Sequence, residues 1–348
     1  MDSGMPYTID LDPVVSLARS QGYRRIVLQM PDGLKQYAYK LAQRLSEDLP
    51  GVEVLIHMDH NYGACDLQYP QLWEALRPDL IVHIGHSPYP ADISSSIVEP
   101  RGRGPRILYL PALSNSYPSR GAVEDAARLL LGRGVERVGI ATTSQHVHMV
   151  KRLAEDLSGM GLRVEVGRSS RPYLSEAQVL GCDYRLHRSM RVDGFIYLGG
   201  GVFHPLGLYL ATMKPVIKLD PYEDRAVDLT GEGEKLYRVR LYKVSQAMDA
   251  RRWGIIVGLK TGQYRPWLVD RLRRMMERHG RRYILLASEN LDRETLSSID
   301  GEWFEAYTVT SCPRLPTDDY WDYHKPVLTP GEAVMALRGS LEPYLFPW

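Results

Sequence analysis

The chain has 348 residues, of which 44% are hydrophobic, and its 43 basic residues nearly balance its 42 acidic ones. This length predicts two or three domains, and the balanced charge gives no long-range attraction to nucleic acid or to an anionic membrane. No apolar run approaches the roughly 20 residues of a membrane span, and the first residues lack the basic start and apolar core of a signal peptide. We therefore expect a cytoplasmic protein with no direct nucleic-acid partner and no membrane.

A strand, helix, strand pattern occurs three times along the chain. The first strands are RIVLQMP (25–31), RVGIATT (137–143) and WGIIVGL (253–259), which begin 112 and 116 residues apart. Helical periodicity follows each of them, at 34–49, 145–159 and 264–279. Second strands are predicted at 52–58, 162–167 and 282–288, and third strands at 80–86, 195–201 and 303–309. Fourth strands are predicted at 106–111 and 215–221, with a weaker one at 326–330.

This alternation predicts an α/β protein of three homologous domains, each a small parallel sheet flanked by helices. The domains are expected at residues 1–115, 116–230 and 231–348. The turn-rich segment 112–121 marks the first boundary, and the charged stretch within 222–250, leading into a connecting helix, marks the second. The apolar tail 341–348 is expected to pack at an interface or across its own domain.

Three cysteines, Cys65, Cys182 and Cys312, lie far apart in the sequence, in the loops YGACD, LGCDY and TSCPR. Three cannot all pair within one chain, and their spacing is unlike a secreted disulfide framework. Cys65 and Cys182 follow the second predicted strand of their domains, whereas Cys312 follows the third. Ligands bind beyond the C-terminal ends of parallel strands, so these loops lie at the end of each sheet where a ligand would bind.

Three interpretations of the cysteines stay open from the residues alone. Three thiolates would bind three irons of a 4Fe–4S cluster and leave one iron open for a substrate. The alternative is three unrelated buried thiols, because free cysteine is among the most buried residue types. A zinc site is a further alternative, with His57, Asp59, His60 and Cys65 as ligands around one loop.

Other polar and glycine-rich segments also follow strands. Gly199, Gly200 and Gly201 end a strand just before His204, and consecutive glycines let the backbone approach a ligand closely. The segment QHVH (145–148) places Gln145, His146 and His148 at a predicted helix N-terminus, which suits an anionic group. The bland alternatives are a tight turn and a capping turn with solvated imidazoles.

Two motif matches are incomplete. HIGHS (83–87) contains the HIGH signature of class I aminoacyl-tRNA synthetases but follows a third strand and lacks a KMSKS-like loop. GIIVGLKT (254–261) has Leu259 where the P-loop requires its second glycine, so it specifies no phosphate cradle. His86 and Lys260 stay site candidates by position alone.

The motifs of all three domains together resemble one family. The matching stretches are QMPDGL (29–34), YGACD (62–66), HIGHS (83–87), ATTSQHVH (141–148), QVLGC (178–182), YLGGGVFHPLG (197–207), LDPY (219–222), GLKTGQ (258–263) and SCPRLPTDD (311–319). They are similar to those of the archaeal enzymes of the first step of diphthamide biosynthesis, the 3-amino-3-carboxypropyl transferases that act on translation elongation factor 2.

The resemblance implies that the three domains are arranged around a central cluster site, where Cys65, Cys182 and Cys312 hold a 4Fe–4S cluster. It also implies a homodimer. It implies that S-adenosylmethionine binds near the open iron, that the reduced cluster donates one electron, and that the bond from sulfur to the γ-carbon breaks. The 3-amino-3-carboxypropyl radical would add to C2 of a histidine imidazole on the elongation factor, and 5′-methylthioadenosine would leave. An electron donor protein or another reductant is then a required partner.

Residues beyond the cysteines are expected to contact S-adenosylmethionine. They are Asp32, His86, Gln145, His146, His148, Gly199, Gly200, Gly201, His204 and Lys260. Two alternatives to the transferase are a non-catalytic supporting subunit of such an enzyme and a zinc-dependent or nucleotide-dependent enzyme on a similar scaffold.

Overall fold

A computed structural model of the chain describes residues 5–67, 69–89, 97–98 and 104–348. Three larger sheets and one two-stranded ribbon lie within these residues, with helices packed around the larger sheets. No helix in this part of the chain is both long and apolar enough to cross a membrane.

The first sheet is built from the N-terminal third of the chain. The strands here are β1 (Tyr7–Thr8), β2 (Arg25–Gln29), β3 (Glu53–Ile56), β4 (Leu80–Ile84), β5 (Ile97–Val98), β6 (Arg106–Leu110) and β7 (Leu113–Ser114). The helices are α1 (Asp12–Gln21), α2 (Asp32–Lys35), α3 (Ala38–Asp48) and α4 (Tyr69–Leu76). The sheet order is β3-β2-β4-β6-β5, parallel except for β5, while β1 and β7 form a separate antiparallel ribbon.

The second sheet follows the same plan. Its strands are β8 (Arg137–Thr142), β9 (Arg163–Val166), β10 (Gly194–Leu198), β11 (Val216–Asp220) and β12 (Arg225–Asp228). Its helices are α5 (Arg120–Gly132), α6 (Val150–Gly159) and α7 (Phe203–Thr212). The order is β12-β11-β10-β8-β9, and only β12 is antiparallel.

The third sheet has four parallel strands. They are β13 (Arg252–Gly258), β14 (Arg282–Ser288), β15 (Ala306–Val309) and β16 (Val327–Leu328), in the order β14-β13-β15-β16. The helices are α8 (Thr230–Met248), α9 (Pro266–Arg278), α10 (Arg293–Ile299) and α11 (Pro330–Arg338). The connecting helix expected before the third domain is therefore present as α8.

The three parallel cores share one strand order. In each, the first strand lies between the second and the third, and the fourth lies beyond the third. The central strands β2, β8 and β13 are buried almost throughout, as expected of parallel strands covered by helices on both faces. The α/β class with three mostly parallel sheets is thus confirmed, whereas the exact domain limits at 115 and 230 stay a prediction.

Amphipathic helices account for much of the packing. In α9 the residues Leu268, Leu272 and Met276 are buried at a spacing of four, so they form one apolar stripe against the sheet. Pro266 begins this helix, where a missing amide hydrogen costs nothing. A capping box of Thr329 and Glu332 begins α11.

Several predicted boundaries are wrong. The helix expected over 34–49 is divided into α2 and α3, and the one expected over 145–159 begins only at Val150, after a single 3₁₀ turn at Val147–Met149. Gln145 and His148 instead bond carbonyl oxygens of the first domain, so tertiary contacts override the local helical pattern. The short strands β1, β5, β7 and β12 lie outside the predicted pattern, because they pair antiparallel and the repeated strand, helix, strand pattern describes only the parallel strands.

The apolar tail packs against two domains. Tyr344 and Leu345 lie against the core of the third domain, and a Cβ on Gly331 would come within 2.3 Å of the Leu345 carbonyl oxygen. Phe346 lies beside Tyr184 of the second domain, with ring centroids 6.0 Å apart. The tail therefore links the second and third domains close to Cys182.

Candidate functional site

The three cysteines lie beyond the carboxyl ends of strands in three different domains. Cys65 lies in a 3₁₀ turn, Ala64–Asp66, after β3, while Cys182 follows β9 and Cys312 follows β15. All three carry free thiols.

The three thiols are poorly solvated, and burial dominates their pKa values. Burial is the main cause that raises the pKa of Cys182 to about 12, while Arg265 opposes the rise and charge on Cys65 or Cys312 adds to it. Burial likewise raises the pKa of Cys312 to about 12, with Cys65 adding to the rise. The pKa of Cys65 is raised for the same first reason. All three thiols are thus poorly solvated, and charge on Cys65 acts on the other two.

The segment GLKTGQ (258–263) of the third domain holds the Cys65 turn. The Gly262 amide donates to the Cys65 carbonyl oxygen at 2.9 Å, and the Gln263 side-chain amide donates to the Cys65 sulfur at 3.6 Å. Lys260 and Asp66 are both buried and pair at 2.6 Å. This contact fixes the first domain against the third beside the sulfur.

Gly262 has to be glycine for this contact to form. A Cβ at Gly262 would lie 2.5 Å from the Cys65 Cα and 2.8 Å from both the Cys65 Cβ and the Tyr89 Cδ1. Because carbon atoms normally approach to about 3.5–4.0 Å, any side chain here would push the two backbones apart.

A second set of contacts joins Cys182 and Cys312 to the same centre. Trp348 donates its indole N–H to the Cys182 carbonyl oxygen at 3.2 Å, and the Arg265 guanidinium lies 4.7 Å from the Trp348 ring centroid. Arg265 also donates to the carbonyl oxygen of Ser311, the residue before Cys312.

A histidine cluster lies between the first and second domains. His83 and His86 are 2.9 Å apart, and Gln145 donates to the Gly85 carbonyl oxygen at 2.8 Å. Burial, with a smaller contribution from the nearby His204, lowers the pKa of His86 to about 4. Burial also lowers the pKa of His204 to about 4. Both imidazoles are therefore neutral near pH 7.

His204 connects this cluster to the cysteine loops. Its ring stacks on Tyr197 with centroids 6.1 Å apart, and Arg314, two residues after Cys312, contributes to the low pKa of His204. The neighbouring Phe203 fills the space that a Cβ on Gly181 would occupy, 2.2 Å from its ring. His204 thus lies beside the loops of both Cys182 and Cys312.

The glycine run follows β10 at the same edge of the second sheet. Gly199 and Gly201 have positive φ angles of 148° and 72°, which favour glycine. A Cβ on Gly200 would lie 3.2 Å from the Tyr222 ring, and Tyr222 bonds His146 at 3.1 Å. His146 is buried, its Nδ1 has no hydrogen-bond partner, and burial lowers its pKa to about 4. Such an orphaned polar atom is a feature that a bound ligand would satisfy.

Some predicted candidates lie apart from this arrangement. Asp32 pairs with Lys35 at 2.6 Å and contacts His60, and His148 bonds the Ser114 carbonyl oxygen. His57 faces Asp59 at 3.5 Å. In the described residues no three His, Cys, Asp or Glu side chains, the three cysteines included, converge on a position for a single metal ion, so the ligand set proposed for zinc is not assembled.

The cysteine site fits a larger iron–sulfur group better than a single ion. Its donors are three soft sulfur ligands from three separately anchored loops, the kind of ligand that iron–sulfur clusters use. Three thiols leave one iron of a 4Fe–4S cluster free for another ligand. His146, with its unpaired Nδ1, and the glycine run both follow strands of the second sheet, in the same domain as Cys182.

Sequence reasoning missed the residues that join the domains around the thiols. Asp66, Tyr89, Gln263, Arg265 and Trp348 all act across domain boundaries. Asp66 and Gln263 carried a signal because they belong to the motifs YGACD and GLKTGQ, and Trp348 carried a weaker one as part of the apolar tail.

Comparisons with known proteins agree along nearly the whole chain. The family described as putative diphthamide synthesis protein matches residues 30–344. A 2-(3-amino-3-carboxypropyl)histidine synthase of Pyrococcus horikoshii is 34% identical over 347 residues, which cover 98% of this chain and 94% of the relative. Subunit 1 of the corresponding human synthase is 28% identical, covering 95% of this chain and 72% of the relative.

Solved structures give the same result. A crystal structure of Dph2 from Pyrococcus horikoshii matches with a TM-score of 0.81 and 32% identity. The match covers 99% of this chain and 94% of the Dph2 chain. A second structure of that protein, with a 4Fe–4S cluster, matches with a TM-score of 0.80 and 31% identity. This match covers 97% of this chain and 93% of the Dph2 chain.

Proposed function

The chain belongs to the diphthamide synthesis family, and we propose that it transfers the 3-amino-3-carboxypropyl group of S-adenosylmethionine to a histidine of translation elongation factor 2. The observation that carries the proposal is that the loops of Cys65, Cys182 and Cys312, one from each domain, are joined to one another by contacts of Gly262, Gln263, Arg265 and Trp348.

Cys65, Cys182 and Cys312 would hold a 4Fe–4S cluster. When bound and reduced, such a cluster supplies the single electron that breaks the bond from the sulfonium sulfur to the γ-carbon of S-adenosylmethionine. The three loops contribute rigidity, because contacts with the third domain anchor the Cys65 and Cys182 loops and Arg265 holds the Cys312 loop within the third domain itself. Rigid anchoring favours one orientation of the substrate, and hence one S–C bond, over the others.

The second domain would bind the S-adenosylmethionine. Gly199, Gly200 and Gly201 let the backbone approach it closely, and the unpaired Nδ1 of His146 offers a hydrogen bond. His86 and His204 are neutral near pH 7, so they do not repel the sulfonium cation. Gln145 is already committed to Gly85, and it would position the loop of His86.

Lys260, His148 and Asp32 would act indirectly. Lys260 holds the Cys65 turn through Asp66, and His148 holds the second domain against β7. Asp32 orders the turn after β2 through Lys35. None of the three is assigned a contact with S-adenosylmethionine.

Partners follow from the chemistry. A transfer to a protein histidine requires the elongation factor to dock at the open side of the cluster site, and reduction requires an electron donor protein or another external reductant. We propose a homodimer as the working form, as the family resemblance implies.

The test is a transfer assay under anaerobic conditions. Reconstituted protein, dithionite, elongation factor 2 and S-adenosylmethionine labelled at the methionine carboxyl carbon are mixed. We expect label on the elongation factor together with released 5′-methylthioadenosine. A preparation with a full cluster that releases no methylthioadenosine and labels no elongation factor would contradict the proposal. A protein that binds only zinc during reconstitution would contradict the proposal before the transfer assay is run.

A further inference from the structure

Arg265 carries a positive charge into the interior beside the cysteines. It is only 8% exposed. Its guanidinium donates to the Tyr89 hydroxyl at 3.0 Å and to the carbonyl oxygens of Thr310 at 3.1 Å, Gln263 at 3.3 Å and Ser311. All these acceptors are neutral, and no ion pair joins Arg265 to an acidic residue of the described chain.

Burying an unpaired charge is expensive, so a compensating charge is expected nearby. The carbonyl dipoles offset part of the cost of burying the guanidinium, but they do not neutralise its charge. Burial lowers the pKa of Arg265, while Tyr89, Cys182 and Cys65 raise it, and the net direction is upward. The ionisable groups that face this guanidinium are therefore the site thiols and one phenol.

The guanidinium is one link away from every cysteine. Gln263 accepts from it through the backbone and contacts the Cys65 sulfur with its side chain. Ser311 accepts from it and precedes Cys312. Trp348 covers it and bonds the Cys182 carbonyl oxygen. Arg265 thus lies at a junction of all three cysteine loops.

We propose that Arg265 is the counter-charge of the metal-loaded cysteine site and raises its reduction potential, acting as a positioning residue. This proposal rests on the proposed function, because the thiols become anionic only when they bind metal. A 2+ cluster on three thiolates carries a net charge of −1, and one added electron makes it −2. A fixed cation stabilises the more negative state more strongly, so it favours reduction.

The aromatic cover strengthens this effect. Trp348 and Tyr89 hold the guanidinium away from water, and an ion interacts more strongly where the local dielectric constant is low. The Gln263 side chain adds a hydrogen bond to the Cys65 sulfur, which acts in the same direction.

The experiment compares Arg265→Gln, Arg265→Lys and the unchanged protein after anaerobic reconstitution. Iron content is measured first, and the midpoint potential is then measured by redox titration followed by electron paramagnetic resonance. Arg274→Gln removes the same charge from the exposed side of α9 and is the matched control.

We expect Arg265→Gln to lower the ratio of reduced to oxidised cluster about tenfold at a fixed applied potential. This corresponds to a fall of about 59 mV in the midpoint potential of a one-electron couple. Arg265→Lys should retain most of the potential, and Arg274→Gln all of it. If Arg265→Gln cannot retain iron while Arg265→Lys can, the charge requirement is again supported.

The proposal is overturned if the Gln and Lys variants behave alike, either by losing iron equally or by keeping the potential of the unchanged protein. Failure of the proposed function has a different signature, since the unchanged protein would then bind no cluster.

Discussion

The substitution Gly262→Ala tests whether contact between the first and third domains is needed to hold iron. The added methyl group would lie 2.5 Å from the Cys65 Cα and 2.8 Å from the Tyr89 Cδ1. Normal carbon contacts are about 3.5–4.0 Å, so the two backbones must separate by about 1 Å. Both are main-chain segments, and rotation of a side chain does not relieve the contact with Cys65.

Overpacking of this kind typically costs about 1–3 kcal/mol. The strain falls on the hydrogen bond from the Gly262 amide to the Cys65 carbonyl oxygen and on the contact of Gln263 with the Cys65 sulfur. If the strain is relieved by opening this interface, iron loss should become about 5-fold to 150-fold faster, the rate equivalent of that energy.

The assay follows cluster absorbance after a chelator is added anaerobically, with iron content measured at the start. Gly231→Ala is the matched control, because a Cβ there meets no atom within 4 Å. Circular dichroism confirms that both variants are folded. A Gly262→Ala protein with the iron content and the release rate of the unchanged protein would refute the reasoning.

Three further predictions concern buried polar groups. Glu332→Ala removes the carboxylate that pairs with Arg240 at 2.7 Å in the third domain, where both side chains are fully buried. It should lower the free energy of unfolding by about 3–5 kcal/mol in denaturant titrations. Lys260→Met leaves Asp66 buried without its ammonium partner, so it should reduce the iron retained after reconstitution. For His146, the pKa of about 4 in the folded chain lies below the usual 6.5. The unfolded chain therefore binds more protons between these values, and stability should fall as the pH is lowered from about 6.5 to 4. His146→Asn should remove up to about 3 kcal/mol of that fall.

Each of these predictions has its own contradicting result. An unchanged denaturation midpoint for Glu332→Ala would show that the pair contributes nothing. Full iron retention in Lys260→Met would show that the Lys260–Asp66 ion pair is not needed to hold the cluster. The exposed Lys235→Met is the control. An identical pH dependence in His146→Asn would show that another group is responsible.

The repeated fold could be predicted because its signals are local. Buried strand runs near residues 25, 137 and 253 gave the three central strands, and helical periodicity gave α9. The position of Cys312 did not fit the repeat until the strand order was known. The second and third strands both flank the first, so loops that follow either one reach the same edge of the sheet.

The surroundings of the cysteines could not be predicted in the same way. Arg265 and Trp348 belong to no periodic pattern, and their roles depend on how the third domain meets the other two. The candidates His148 and Asp32 show the converse, because position after a strand suggested a ligand site while their contacts are structural.

The central claim is that three domains hold one cluster through three thiols. Iron and acid-labile sulfide should be measured in anaerobically reconstituted protein and in Cys65→Ala, Cys182→Ala and Cys312→Ala, with electron paramagnetic resonance of the reduced samples. We expect four irons and four sulfides per chain in the unchanged protein and a loss of intact cluster in every variant. Full cluster content and an unchanged spectrum in any one of the three would contradict shared ligation.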